Sequence, residues 1–155
     1  MTDIVLQKNV AGLVTVRNGS TPASATAAGT GDNTSKTGIV IDRQALNMPM
    51  SAVAAVLADA TLSSGANLKV TFTISEGPDG TNFSTYQTSS AQTTLTAAGG
   101  ASTKSGETRL AVNLSGARRY IRLDHVPDLS AAGTDTCVTR AVWVFGGEDR
   151  LASVA

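Results

Sequence analysis

Apolar and polar side chains alternate most cleanly between Asn67 and Tyr86. Leu68, Val70, Phe72 and Ile74 are interleaved with Lys69, Thr71, Thr73 and Ser75, a period of two that sends one set to each face of a β-strand. Glu76-Gly77-Pro78-Asp79-Gly80 follows; proline fixes one φ and the glycines are free to turn, so the chain reverses before Phe83 and Tyr86. This predicts a hairpin at the nucleus of an antiparallel sheet.

The same reading extends along the chain. Ile4 to Leu6 and Leu13 to Val16 are short β-prone pieces, separated by Asn9 to Gly12. From Ser20 to Thr37 the chain turns to Ser, Thr, Ala and Gly with almost no large side chain. Such a stretch buries too little area to offset its ordering entropy and is expected to be a long, flexible loop. Gly38 to Arg43 predicts a brief strand ending in charge, and Asn47-Met48-Pro49-Met50 an irregular turn. Between Ser51 and Leu62, Val53, Val56, Leu57 and Ala60 fall at helical spacing while Val53, Ala55 and Leu57 alternate. Alanine richness favours helix; the connection Ser63 to Asn67, of a length suited to leading into the central strand, favours strand. Strand is the expectation, helix the alternative.

Weaker strands are expected at Gln92 to Thr96 and Thr108 to Leu114, around a loop from Ala97 to Gly106. Tyr120 to Asp124 should place Ile121 and Leu123 inward, and Pro127 to Thr134 should be a loop. The last strand, Cys137 to Phe145, carries Val138, Val142 and Val144 on one face and Ala141, Trp143 and Phe145 on the other. A strand apolar on both faces is either central or covered by a partner. About seven to nine short strands with turns between them and no βαβ alternation predict an all-β protein, an antiparallel β-sandwich or jelly-roll-like barrel. The expected organisation is one domain: an N-terminal arm or edge strands over 1–17, a flexible loop over 18–37, a β-sandwich core over 38–146 and a polar tail over 147–155.

Composition narrows the function classes. The 155 residues carry 12 basic and 12 acidic side chains and 4% aromatics, so the core is aliphatic and nothing favours a nucleic acid or an anionic membrane as partner. Zero net charge also leaves the chain less protected from self-association. The first residues do not resemble a secretory signal, and no apolar run approaches the ~18 to 20 residues that span a bilayer. A single cysteine, Cys137, excludes an intramolecular disulfide.

Candidate chemistry is sparse. His125 is the one histidine, which rules out a two-histidine metal site, and no serine stands in a nucleophile-elbow context that would make it part of a triad. It reads as a strand-end histidine. Cys137 beside His125 would have the elements of a thiol nucleophile and its base; the plainer account is a small buried hydrophobe. Asp79 lacks the spaced acidic ligands of a calcium loop and reads as a turn residue. The expectation is no catalytic residue, no metal and no cofactor, and hence not an enzyme. Lys104, Arg109, Arg118, Arg119 and Arg122 crowd a stretch whose one acid is Glu107, and Asp124, Asp128 and Asp135 follow. These charges either match a second surface, on another copy or another protein, or form local salt links within one sheet.

With its Gly38-to-Arg43 segment ending in Asp-Arg, its Val70-to-Phe83 hairpin around Glu-Gly-Pro-Asp-Gly, and its Arg119-Tyr120-Ile121-Arg122-Leu123 strand, the chain resembles small β-sandwich virion proteins of tailed bacteriophages. The resemblance covers Gly38 to Phe145 and is greatest to head decoration, or cement, proteins. It implies a structural protein on the capsid surface of a virion, made in the host cytoplasm, that bridges shell subunits and stabilises the head. Its partners would be the major capsid protein and copies of itself, as a homotrimer or other homo-oligomer. The arm Thr2 to Val16 and the loop Ser20 to Thr37 would make the contacts; the interface side chains expected are Ile4, Leu6, Leu13, Val16, Arg118, Arg119, Arg122 and Trp143. The alternatives are a low-copy tail or connector component, and a carbohydrate-binding sandwich module presenting Trp143, Tyr120 or Tyr86.

Overall fold

In a computed structural model, which describes residues 14–131 and 133–146, ten strands follow one another. They are β1 Val14–Asn18, β2 Ala23–Thr26, β3 Ile41–Asp42, β4 Ser51–Leu62, β5 Asn67–Gly77, β6 Ser84–Thr88, β7 Gln92–Thr96, β8 Ser102–Asn113, β9 Tyr120–Leu129 and β10 Thr136–Gly146. A 3-10 turn, Gln44–Leu46, interrupts them. Two five-stranded antiparallel sheets result: β1-β10-β4-β8 with β2 also on β10, and β3-β9-β5-β6 with β7 also on β5. They face each other as a sandwich and do not close into a barrel.

β5 is the centre that its alternation predicts: Leu68, Val70, Phe72 and Ile74 are fully buried, β9 pairs on one side and β6 and β7 on the other. Asp79 closes the β5–β6 hairpin by accepting hydrogen bonds from both backbone and side chain of Thr81 and Asn82. Ser51–Leu62 is a twelve-residue strand. Its inward residues include Ala52 and Ala54, the register partners of Phe145 and Trp143 on β10. Two small side chains beside two large rings let Trp143 and Phe145 stack at 5.4 Å without overfilling the layer. Alanine here answers a packing demand rather than a helical one.

Several expectations need correction. The presumed flexible loop 18–37 contains β2, whose Ala25, with Ala27 just beyond it, is buried against Cys137 and Ala60; small side chains allow the backbone to approach β10 closely. The same segment then covers the edge of β9. Lys36 exchanges backbone hydrogen bonds with His125, Asn33 N–H donates to the Pro127 carbonyl and Leu129 N–H donates to Asp32. Gly38 passes so close that a Cβ would lie 2.1 Å from the Leu123 carbonyl oxygen, which only glycine tolerates. An uncovered strand edge would leave these groups unpaired. Likewise Ser102 to Gly106, expected as loop, is strand because β4 templates all twelve residues of β8. β9 runs on through Pro127 to Leu129 against β5. The Gly38-to-Arg43 strand shrinks to Ile41–Asp42. The Ile4-to-Leu6 piece and the polar tail lie outside the described residues.

The interior divides in two. One cluster holds Phe72, Ile74, Leu123, Trp143 and Phe145; the other holds Leu62, Leu68, Leu95, Leu129 and Cys137. Between them His125 Nε2 of β9 meets Thr139 Oγ1 of β10 at 2.9 Å, a buried polar contact across the sheets. Arg43 closes the first cluster at its far end. It is only 1% exposed, yet among the described residues it has no carboxylate partner. Its guanidinium donates to the carbonyls of Ala117, Arg118 (3.0 Å), Pro49 (2.8 Å) and Leu114 (2.7 Å). Burial without a counter-ion lowers its pKa, opposed by the more distant Tyr86 and Glu76. Replacing Arg43 with Met should strand these carbonyls and cost about 3 to 5 kcal/mol. Arg43→Lys should recover less than half of that, because an ammonium lacks the planar fork. Urea unfolding of both variants measures it.

Candidate interaction surfaces

The residues with chemical potential are held in quiet states. His125 is fully buried, and burial, with Lys36 nearby, pulls its pKa down to about 4 against a weaker opposing effect of Asp124. It is neutral at pH 7 and bonded to the buried Thr139 hydroxyl, not to Cys137. Burial pushes the Cys137 thiol up to about 11, with Asp32 adding to the rise while Lys36 and an Ala25 backbone hydrogen bond oppose it; the thiolate that would attack is therefore scarce. The donors from Asn82 and Thr81 hold Asp79 well below the usual carboxylate range, within its own turn. Among the described residues, no three His, Cys, Asp or Glu side chains converge as a metal would require.

The arginines expected at an interface are engaged locally. Arg119 makes two hydrogen bonds to Asp42, 3.0 and 2.7 Å, and lies over the Tyr120 ring. This pairing holds Asp42 below the usual carboxylate range. Arg122 forks onto Asp124 and covers the Phe83 ring at 4.7 Å, while Arg118 sits 3.9 Å from Glu76. Of the two readings of this charge run, these contacts are the local one. Tyr86 donates to the Asn113 carbonyl at 2.6 Å, linking β6 to β8. Trp143, expected on a partner-facing surface, is instead in the inter-sheet core at 0% exposure. β10 is central, so its Ala141, Trp143 and Phe145 face inward and Val138, Val142 and Val144 face out. Val16 is exposed at 56%, while Ile4, Leu6 and Leu13 lie outside the described residues.

Among the described residues, two surfaces carry exposed apolar side chains. The first is the loop region 39–50, where Ile39, Val40, Met48 and Met50 are exposed. Asn47 and Met48 both have positive φ, 57° and 50°, a conformation that costs a side chain of methionine's size of order 1 to 3 kcal/mol and persists only when its surroundings enforce it. Arg43 does so from within: its carbonyl accepts from Leu46 and Met48 N–H, and its side chain holds the Pro49 carbonyl. The second is the outer face of the β4–β10 sheet. Successive rows across β1, β10, β4 and β8 read Val16–Val144–Val53–Ala111 and Asn18–Val142–Ala55–Arg109, and the next row across β10, β4 and β8 reads Arg140–Leu57–Glu107. Leu57 and Val138 on this face are 47% and 43% exposed. A shallow hollow lined by Val14, Val53, Ala111 and Val144 lies at one end of it.

No protein-family model matches the chain, and no curated protein matches it. Among solved structures it is similar in fold to that of infectious bursal disease virus Gx strain, with a TM-score of 0.46, 15% identity, and 88% of this chain and 33% of the other covered. The T=1 particles derived from infectious bursal virus give 0.44 and 17%, with 89% and 32% covered. The infectious bursal disease virus VP2 subviral particle gives 0.43 and 13%, with 90% and 34% covered. The chain thus spans about a third of the length of these structures.

Sequence reasoning missed Met48 and Met50, although two methionines in a turn, where polar residues are usual, were a legible signal. It also passed over the Val53, Ala55 and Leu57 alternation as an outward set. The buried neutral histidine yields a pH test. In the unfolded chain His125 takes a proton near 6.5 but in the fold only near 4, so the stabilisation is complete above pH 6.5 and is lost as pH falls toward 4. About 3 kcal/mol is at stake. His125→Gln should flatten the fall in urea midpoint between pH 7 and pH 4.5 relative to the wild-type chain.

Proposed function

We propose that this is a structural, non-enzymatic virion protein that decorates an assembled phage head and stabilises it by bridging shell subunits. The observation that carries the reading is the 39–50 region: apolar side chains held in water on a backbone that a buried arginine fixes in advance. Pre-organisation removes ordering cost from binding, and methionine adapts to the surface that it meets. A decoration protein needs such a surface on a body that stays folded between release and docking, and the two-cluster sandwich is such a body. The sequence resemblance of Gly38 to Phe145 supplies the class of partner, the major capsid protein. On this reading the protein acts at the capsid surface after synthesis in the host cytoplasm. The carbohydrate-binding alternative loses Trp143, which is buried; Tyr86 is tied to Asn113, and Tyr120 carries Arg119 over its ring.

Counting copies of this chain against the major shell protein in purified particles, by quantitative mass spectrometry, tests the role. A ratio near one is expected; a handful of copies would point to a tail or connector place, and none would remove the virion reading. The double substitution Met48→Asp, Met50→Asp should leave the melting temperature within about 3 °C, as exposed positions usually do, while lowering incorporation at least about tenfold. Particles lacking the protein should break at lower temperature than complete ones, measured by DNA release on heating.

A further inference from the structure

We propose that the outer face of the β4–β10 sheet is the contact of a twofold dimer, each copy covering the same face of the other. The surface is continuous across four strands, with one row wholly apolar, Val16–Val144–Val53–Ala111, and Val142, Ala55 and Leu57 extending it. With β4 and β8 of 12 residues, β10 of 11, β1 of 5 and β2 of 4, strands ~4.8 Å apart at ~3.4 Å per residue make a face of roughly 720 Å², within the ~600 to 1,000 Å² that each partner gives to an ordinary stable interface. Its charges also suit a second copy. In the row Arg140–Leu57–Glu107, Leu57 lies on β4 between its register partners on β10 and β8. A twofold axis along β4 exchanges β10 with β8, and so brings Leu57 onto Leu57 of the other copy and Arg140 opposite Glu107 in both directions. One row away Ala55 meets Ala55, with Val142 and Arg109 exchanged across the axis, and two rows away Val53 meets Val53, with Val144 and Ala111 exchanged.

Asp59 is the residue that this symmetry treats least well, because it too lies on β4 and would approach itself. It accepts a hydrogen bond from Ser105 of its own chain, which disperses part of its charge, and it stands ~7 Å beyond Leu57. Arg140 is held in reach by Asn18 at 2.7 Å. Glu107 is 3.7 Å from Arg109 of its own chain, with both side chains largely in water, a link too exposed to compete with a desolvated partner.

The inference does not depend on the virion reading, since it concerns the purified chain alone. Sedimentation velocity from about 1 to 100 µM should show a species of twice the 15.7 kDa chain mass. Leu57→Glu should weaken association at least about tenfold, with circular dichroism and melting temperature reporting that the sandwich persists. Arg140→Glu should weaken it too, and adding Glu107→Arg to that variant should restore it, which damage to the fold would not. A monomer throughout the range would overturn the proposal. So would a trimer, or a dimer indifferent to Leu57→Glu and to the charge exchange, as expected if another face or a terminal segment of the chain were the real occupant.

Discussion

The fold depends on a single buried cation. Arg43 follows β3, and its guanidinium gathers carbonyls from the segment leading into β4 and from the 114–118 connection between β8 and β9. Both pieces of chain cross from one sheet to the other, β3 to β4 and β8 to β9, so the residue ties the two crossings together at that end. Carbonyl dipoles replace the carboxylate that a buried arginine ordinarily requires. The arrangement is unforgiving, because neither the cation nor the carbonyls can turn to water if the other is lost. The neighbouring backbone is thereby held where Met48 alone would not remain.

Between that node and the opposite end, polar contacts punctuate an otherwise aliphatic core. His125 and Thr139 separate the two clusters, and beyond the second cluster Asp135 accepts from Ser63 backbone and side chain. Each is buried, and each joins segments distant in sequence. A core of Val, Leu and Ala alone would tolerate a strand slipping by two residues, since such a shift keeps every side chain on its own face. Partners that must meet to satisfy buried polar atoms remove that freedom. Regular alternation sets the faces, while the sparse polar contacts set the register.

This division also accounts for what could be read beforehand. β5 was legible because its two faces differ in polarity along its length. β10 was not, since valines on one side and aromatic residues on the other make both faces apolar; which side is interior is decided by β4, whose Ala52 and Ala54 lie beside the rings. Trp143 as an interface residue followed from choosing the wrong side. Ser102 to Gly106 and Ala23 to Thr26 carry almost no intrinsic strand signal and are ordered by long partners that supply backbone hydrogen bonds. The 20–37 segment failed for a related reason: its small side chains bring little area, yet smallness lets its backbone reach an edge that needs covering. Arg43 could be seen in the sequence as a charge at a strand end, but three of its four carbonyls come from the 114–118 connection, more than 70 residues away, and leave no local trace.

Burying Trp143 in the core leaves Val138, Val142 and Val144 outside. A strand read as apolar on both sides is thus covered on one face by the opposing sheet, while among the described residues its other face stays exposed. None of its outer valines packs in the core clusters. Met48 and Met50 are likewise outside them, and Met48 carries the added cost of a positive φ. A sequence with balanced charges has little repulsion to keep such surfaces apart. The physical character of the described residues is accordingly that of a two-sheet body with an apolar interior and further apolar side chains left on two of its outer surfaces.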